Sequence, residues 1–152
     1  LSLSIRIMWK IKFERMSYMC ENLLIKDFKT LKVWQNANRL EQEIGKLVKG
    51  FPSYEQYRLV DQLVRASRSI GANLAEGNTQ LFVKKEIVHA NIALGSAGEV
   101  RNHLFIAYQN GYIDREQYDA LDAKLIEIIK MLYGYIKKLK LKTGNDSDFS
   151  DS

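Results

Sequence analysis

One segment of the sequence carries polar side chains at a spacing that could serve a chemical role. Gln62, Arg65, Ser69, Asn73 and Glu76 are separated by three, four, four and three residues. On an α-helix this spacing places them in one continuous stripe. A row of amide, guanidinium, hydroxyl and carboxylate groups can line a ligand cleft. Alternatively, the same groups can bond one another and hold two helices in register.

A second segment, IALGSAGEV (92–100), is rich in small residues and ends on a carboxylate. Glycine inside a helix costs about 1 kcal/mol relative to alanine, which predicts that another helix, or another backbone, comes very close here. Glu99 is then a predicted partner of Arg65 or Arg68. Together the two segments predict a structural polar seam, which comprises Gln62, Arg65, Ser69, Asn73, Glu76, Gly77, Gly95, Ser96 and Glu99.

The polar seam has two interpretations, structural and functional. A buried Arg or Glu without a partner would cost several kcal/mol, so paired burial is the expected arrangement. The residue types form mutually satisfying pairs, and none is an obvious nucleophile or base. We therefore favour a seam that fixes helix register, with a ligand cleft as the alternative.

Metal chemistry depends on one motif. Glu86 and His89 form a Glu-x-x-His pair, and a di-iron bundle requires a second such pair on another helix. His103 is the only other histidine and follows in the same segment. The sequence also lacks a phosphate-binding loop, a nucleophile elbow and zinc-ligand spacing. We expect no metal, no cofactor, no catalytic residue and no enzymatic activity.

Four segments that could position these residues have the apolar period of packed helices. They run from Val33 to Phe51, from about Glu55 to Glu76, from about Lys84 to Asn110, and onward from Asp114, an N-cap with a capping-box partner at Gln117. The predicted inward positions are Val33, Ala37, Leu40, Ile44, Leu47, Phe51; Leu59, Leu63, Ala66, Ile70, Leu74; Ile87, Ala90, Leu94, Ala97, Leu104, Tyr108; Tyr118, Leu121, Leu125, Ile128, Leu132, Tyr135 and Leu139.

Short connections between helices of similar length require neighbouring helices to run antiparallel. The sequence therefore predicts an all-α, up-down-up-down four-helix bundle over residues 27–142. Residues 1–26 are expected to be a leader that is non-native or disordered, with the native start at Met16 or Met19. Residues 143–152 are expected to be an acidic disordered tail.

Charge and cysteine content narrow the class of protein further. The chain has a net charge of +5 and a sequence pI near 9.2. Residues 27–142 carry 18 Lys and Arg against 13 Asp and Glu, so the predicted bundle is basic by itself. Cys20 is the single cysteine, which indicates a reducing cytoplasm. No stretch is apolar enough to predict a membrane span.

Basic side chains are the remaining candidates for binding. The candidate nucleic-acid-binding residues are Arg58, Arg65, Arg68, Lys84 and Lys85. Two of these, the lysines, open a helix whose N-terminus already favours anions. The run KKLKLK (137–142) could bind phosphate too, although lysines at a helix C-terminus also have a purely local stabilising role. Aromatic residues do not interleave with these basic residues as in a base-stacking platform.

The motifs QLVRASRSIGANLAEGNTQ (62–80), KKE (84–86), ALGSAGEVRNHLFIAYQNGYI (93–113) and MLYGYIKKL (131–139) resemble a bacterial family encoded within intervening sequences of 23S rRNA genes. The resemblance covers about Phe28 to Leu141. It implies four-helix bundles assembled as ring-like homopentamers. It also implies kinship with the accessory variability determinants of diversity-generating retroelements, basic pentamers that bind nucleic acid and a reverse transcriptase.

The resemblance is carried by Arg65, Ser69, Asn73, Glu76 and Gly77 in the first motif. In the second it is carried by Gly95, Ser96 and Glu99. The sequence departs from the family at Gly71, where relatives commonly have proline, and at residues 78–79, which lie in the loop nearest any ligand. The family supplies no catalytic role for these residues.

Two functions are therefore expected. The first is a non-enzymatic, oligomeric protein, pentameric in the family's manner, that binds structured RNA, DNA or a ribonucleoprotein through a basic face. The second is a protein-interaction scaffold or adaptor, such as an accessory subunit of a reverse transcriptase, whose basic residues only aid solubility.

Overall fold

The computed structural model describes residues 3–21 and 26–143, with side chains for 3–14 and 26–143. These ranges contain five α-helices and no strand, so the predicted all-α class is confirmed. The helices are α1 (Leu3–Glu21), α2 (Lys32–Leu47), α3 (Leu59–Asn78), α4 (Val83–Gln109) and α5 (Arg115–Thr143). Short 3₁₀ turns cover Phe28–Thr30, Val48–Gly50 and Ser53–Glu55.

The segments predicted to flank the bundle are described only in part. Within the predicted leader, Leu3–Glu21 form helix α1. Its large apolar side chains, Trp9 and Phe13 among them, are exposed. Residues 1–2 and 22–25 of the leader and 144–152 of the predicted tail lie outside the described residues, whereas Thr143, the first residue of the predicted tail, ends helix α5. No helix in the described ranges is long and apolar enough to cross a lipid bilayer.

The predicted apolar stripes of α2 to α5 form one core. The buried members include Leu40, Leu63, Val100, Leu104 and Leu125. Of the predicted inward positions, Leu47, Leu94, Tyr108, Tyr118 and Tyr135 are half-buried and pack at the edge of this core. The hydrophobic effect of burying these stripes is what holds the four helices together.

The packing of the helices brings distant segments together. Helix α2 packs against α3 and α5, α3 packs against α4, and α4 packs against α5. Arg101 of α4 bonds to Asp122 of α5, whereas Glu86, earlier in α4, bonds to Tyr135, later in α5. Helices α4 and α5 therefore run in opposite directions.

Two helix starts show how local sequence fixes the boundaries. The backbone N–H of Gln117 donates to the Asp114 carboxylate at 2.7 Å, and the Gln117 side-chain oxygen accepts from the Asp114 backbone N–H at 3.0 Å. This confirms the predicted capping box. Helix α3 begins at Leu59 rather than near Glu55, because Ser53–Glu55 form a 3₁₀ turn. The Glu55 carboxylate accepts from the Leu59 backbone N–H at 3.3 Å, which satisfies one of the free N–H groups at the helix start.

Candidate nucleic-acid interface

The centre of the polar seam is a hydrogen-bonded network between α3 and α4. The hydroxyls of Ser69 and Ser96 lie 2.8 Å apart, and the Asn73 amide nitrogen donates to the Ser69 carbonyl at 2.9 Å. The Asn73 amide oxygen faces Nδ1 of His89 at 3.2 Å. Because an amide oxygen only accepts, Nδ1 of His89 is the donor of this bond. The network satisfies its own members, as a structural seam requires.

Gly77 allows α3 and α4 to meet beside this network. A Cβ built on Gly77 would lie 2.8 Å from the His89 Cβ and 3.3 Å from the Glu86 carbonyl oxygen. Any side chain at residue 77 would push the two helices apart. His89, which the sequence analysis considered as part of a metal motif, is thus part of the seam, and its Nε2 lies 3.8 Å from Glu76.

The exposed charged residues of the predicted seam have other partners than the sequence predicted. Arg65 pairs with Asp61 at 3.6 Å, and Arg68 pairs with Glu41 of α2 at 3.0 Å. Glu99 lies 3.5 Å from Nε2 of His103, four residues along its own helix. The predicted pairing of Glu99 with an arginine was therefore wrong, because each arginine reaches a closer carboxylate.

The outer part of the stripe lines an open cleft between α3 and α4. The cleft has a volume of about 660 Å³, and its walls combine two arginines with two carboxylates. Its charges balance, so the cleft by itself does not favour an anion over a cation. Its lining residues are Asp61, Gln62, Arg65, Ala66, Arg68, Ser69 and Glu99.

The small-residue patch of α4 faces outward. Gly95 and Gly98 are exposed, and a Cβ built on either would meet no atom within 4 Å. Among the described residues of this chain, no other helix or backbone approaches these two glycines, so the predicted close approach is not made within the chain. Their neighbours Val88 and Ile92 are also exposed, by 51% and 46%.

A buried carboxylate that the sequence prediction missed connects three segments. The Glu86 side chain is 3% exposed. It accepts from Lys26 Nζ at 2.8 Å, from the Asn78 amide at 3.3 Å and from the Tyr135 hydroxyl. Burial, and then the hydrogen bond to Glu86, raise the pKa of Tyr135. The burial of Glu86 could have been predicted from its position, because it precedes Ala90 by four residues and so lies on the apolar face of α4.

His103 is a second buried polar group that sequence reasoning missed. It is 8% exposed, and neither ring nitrogen has a hydrogen-bond partner among the described residues. The spacing of His103 from Ser96 and His89 repeats every seven residues, which places all three on the side of α4 that faces α3. The imidazole is therefore buried on that side of α4, with the Glu99 carboxylate 3.5 Å from its Nε2.

No group of three or more metal-binding side chains occurs in the described part of the chain. The two members of the Glu-x-x-His motif are bonded to protein groups, Glu86 to Lys26 and His89 to Asn73. The carboxylate and the imidazole are therefore parts of the packing between helices.

The five basic candidates do not lie on one face. Arg58 precedes α3, and Lys84 and Lys85 follow it. Helix α3 has 20 residues, so the two groups are about 30 Å apart at 1.5 Å per residue. Arg65 and Arg68 lie between them and are each paired with a carboxylate. The single basic face predicted from sequence is thus divided.

The structure gathers a different set of basic residues. The contacts of Glu86 bring together residues 26–32, the junction of α3 and α4 (76–86) and the end of α5 (137–142), a region that we call the lysine-rich end. These segments hold nine lysines against Asp27, Glu76 and Glu86. The KKLKLK run thus lies beside Lys84 and Lys85.

The described ranges are entirely α-helical outside their turns, and their lysines cluster at one end of the packed helices. Residues 29–134 of this all-α chain match the family model described as 23S rRNA-intervening sequence protein. The chain belongs to this family.

One solved structure similar to this chain is a Bacteroides thetaiotaomicron protein of unknown function from the S23 ribosomal protein family. The two share 30% sequence identity with a TM-score of 0.65, over 69% of this chain and 95% of that one. None of the curated proteins resembles the chain closely enough to count as a match.

Proposed function

We propose that this protein binds nucleic acid, as structured RNA or within a ribonucleoprotein, and that it does so as an oligomer without catalysing a reaction. The observation that carries the proposal is the lysine-rich end. The family description names the intervening sequences of 23S rRNA, which makes fragments of that RNA the natural first probe. The lone Cys20 is the support for placing this role in the cytoplasm.

The few acids at the lysine-rich end do not cancel its charge. Glu86 is buried and bonded to Lys26. Asp27 accepts from the backbone of Lys29 and caps the first 3₁₀ turn. Among the described residues, the side chains of Lys85, Lys137 and Lys138 make no hydrogen bond or ion pair, so they remain available for phosphates. Clustered cations of this kind release counterions from nucleic acid and favour binding at low salt.

The arrangement of helices that supports this surface is an up-down-up-down four-helix bundle of α2 to α5. Two observations support this arrangement. Helices α4 and α5 run antiparallel, because early α4 bonds to late α5 and late α4 bonds to early α5. Each of the four helices also packs against two others. In such a bundle the α3–α4 connection and the last turn of α5 lie at the same end, so α4 begins where α5 finishes. That topology accounts for lysines about 50 residues apart in sequence forming one surface.

Self-association would multiply this charge, and we infer a homopentamer, as the family resemblance implies. The outward face of α4 supports self-association, because Val88, Ile92, Gly95 and Gly98 form an exposed apolar strip on which another helix backbone could pack closely. Five chains with a net charge of +5 would carry about +25, a far stronger field than that of one chain.

The alternative function is a protein-interaction scaffold, such as an accessory subunit of a reverse transcriptase. It is favoured by Leu81 and Phe82, which are 82% and 72% exposed in the loop between α3 and α4. Exposed apolar residues of this size often mark protein contacts. A scaffold of this kind would not bind nucleic acid directly, even at low salt.

Filter binding of 23S rRNA fragments over a series of salt concentrations tests the proposal. Replacing Lys85, Lys137 and Lys138 together with Gln should weaken binding and reduce the salt slope by about 1 for each phosphate that is no longer bound. The matched control replaces three cations outside the lysine-rich end: Arg39, Lys124 and Lys130. No binding at low salt, or an equal loss in the control variant, would contradict the proposal.

A further inference from the structure

The end of the bundle opposite the lysines presents two tyrosine rings on the α2–α3 connection. Tyr54 is 63% exposed and Tyr57 is 92% exposed. The Tyr54 hydroxyl lies 3.0 Å from the Tyr112 hydroxyl, which donates to Glu55 at 2.9 Å. The proton order is therefore fixed, with Tyr54 donating to Tyr112. The Tyr54 ring is therefore held in place by its hydroxyl, while most of its surface is exposed to solvent.

Tyr112, the anchor of this arrangement, belongs to the α4–α5 connection and packs into the core. Its ring centroid is 5.4 Å from that of Phe51, which is buried. The Glu55 carboxylate that accepts from Tyr112 also caps α3 through the Leu59 backbone N–H. The orientation of Tyr54 is thus set by two connections and one helix start, so little conformational entropy remains to be lost when a flat ligand packs on it.

Cations without partners flank these rings. Neither Arg58 nor Lys49 makes a side-chain hydrogen bond or ion pair within the described part of the chain, and both are exposed. The nearby acids are occupied, Glu55 by Tyr112 and Asp61 by Arg65. Arg58 directly follows Tyr57, so the expectation that aromatic residues do not interleave with the basic candidates was wrong at this position. An open aromatic surface beside free cations is the combination that binds unpaired nucleotides, because bases stack on the ring and phosphates meet the cations.

We propose that Tyr54 and Tyr57 form a stacking platform for unpaired nucleobases, with Arg58 and Lys49 contacting the neighbouring phosphates. This inference rests on the proposed function and gives it a preferred ligand, an RNA loop, bulge or single strand. A fully paired duplex conceals the faces of its bases and could meet only the lysines. The platform would therefore distinguish looped RNA from duplex RNA, which the lysine-rich end alone would not.

Two RNA probes with equal numbers of phosphates test the platform, a hairpin with an open adenine loop and a blunt duplex. We expect the double variant Tyr54→Ala, Tyr57→Ala to bind the hairpin at least about fivefold more weakly while its duplex affinity is unchanged. Tyr57→Trp should retain hairpin binding, because tryptophan also stacks. 2-Aminopurine in the loop should be quenched by the wild-type protein and not by the double variant.

Tyr133→Ala is the matched control, since Tyr133 is 61% exposed on α5 and lies outside the platform. Circular dichroism melting establishes that each variant is folded, and Tyr57→Ala alone removes a ring with almost no packing. Equal hairpin binding by the double variant and the wild type would overturn the platform, as would the same loss in Tyr133→Ala. The lysine variant would still test the proposed function in that case. Absence of any RNA binding by the wild type at low salt would overturn both.

Discussion

Gly77 and His89 approach so closely that a Cβ at residue 77 would lie 2.8 Å from the His89 Cβ. This contact is where the end of α3 meets the start of α4, beside the bonds of Asn73 to His89 and Ser69. The separation of the two helices is therefore set by a missing side chain, and the hydrogen bonds of the seam depend on it.

Replacing Gly77 with Ala should lower the free energy of unfolding by about 1–3 kcal/mol, the usual cost of overpacking. Helix propensity alone predicts the opposite sign, a gain of about 1 kcal/mol. Gly134→Ala is the control, since a Cβ at Gly134 meets no atom within 4 Å. Urea denaturation of both variants measures whether overpacking or helix propensity dominates at residue 77. A Gly77→Ala protein as stable as Gly134→Ala would refute the close contact.

Glu86 should be important for stability despite its charge. Glu86→Gln weakens charged hydrogen bonds to Lys26 and Tyr135 inside the protein, and we expect a loss of about 1–3 kcal/mol of unfolding free energy. Glu127→Gln provides the comparison, because Glu127 is 65% exposed and pairs only with Lys130 among the described residues. It should change stability by less than about 0.5 kcal/mol. Similar losses in the two variants would show that Glu86 is not a buried connection.

Tyr135 makes stability fall at high pH. Burial and the bond to Glu86 raise its pKa above the ordinary 10.0, so the folded protein keeps a proton that the unfolded chain releases. The stabilisation is complete below pH 10 and is lost as pH rises from there toward the folded pKa. Tyr135→Phe should therefore show a shallower decline of unfolding free energy above pH 10 than the wild type. Parallel curves would contradict this role of Tyr135.

The outward face of α4 gives a prediction about assembly. Sedimentation velocity of the wild type should show an oligomer, near 88 kDa for five chains of 17.6 kDa. Replacing Gly95 and Gly98 with Gln should shift the protein toward smaller species with unchanged helix content, because both positions are open within one chain. Gly134→Gln should leave assembly unaffected. A wild-type protein that sediments as a monomer would remove the basis for this interface.

Periodicity predicted the inward positions of α2 to α5 well, because burying an apolar stripe dominates the energy of helix packing. The capping box of Asp114 and Gln117 was predictable for a similar reason, since its bonds form within four residues. Polar partners were harder to predict. Arg68 pairs with Glu41, 27 residues earlier, and nothing local in the sequence specifies that choice.

The burial of Glu86 was missed for a different reason. A carboxylate on an apolar period is ordinarily assigned to the surface, and its burial becomes favourable only when Lys26, Asn78 and Tyr135 converge on it. Those residues come from three separate segments. For the same reason the lysine-rich end could not be predicted from sequence, since its lysines come from separate segments. The basic face that was predicted from α3 and α4 combined residues that lie at opposite ends of α3.

The Lys26–Glu86 contact also decides how the protein can be labelled and immobilised. Residue 26 is held at the same end at which α5 reaches Thr143, so both of these positions lie beside the lysines. A fusion partner or surface tether attached at either position would crowd that end and leave the tyrosine rings facing solution. A fluorophore at exposed Ser53, on the far connection, would leave the lysines unobstructed.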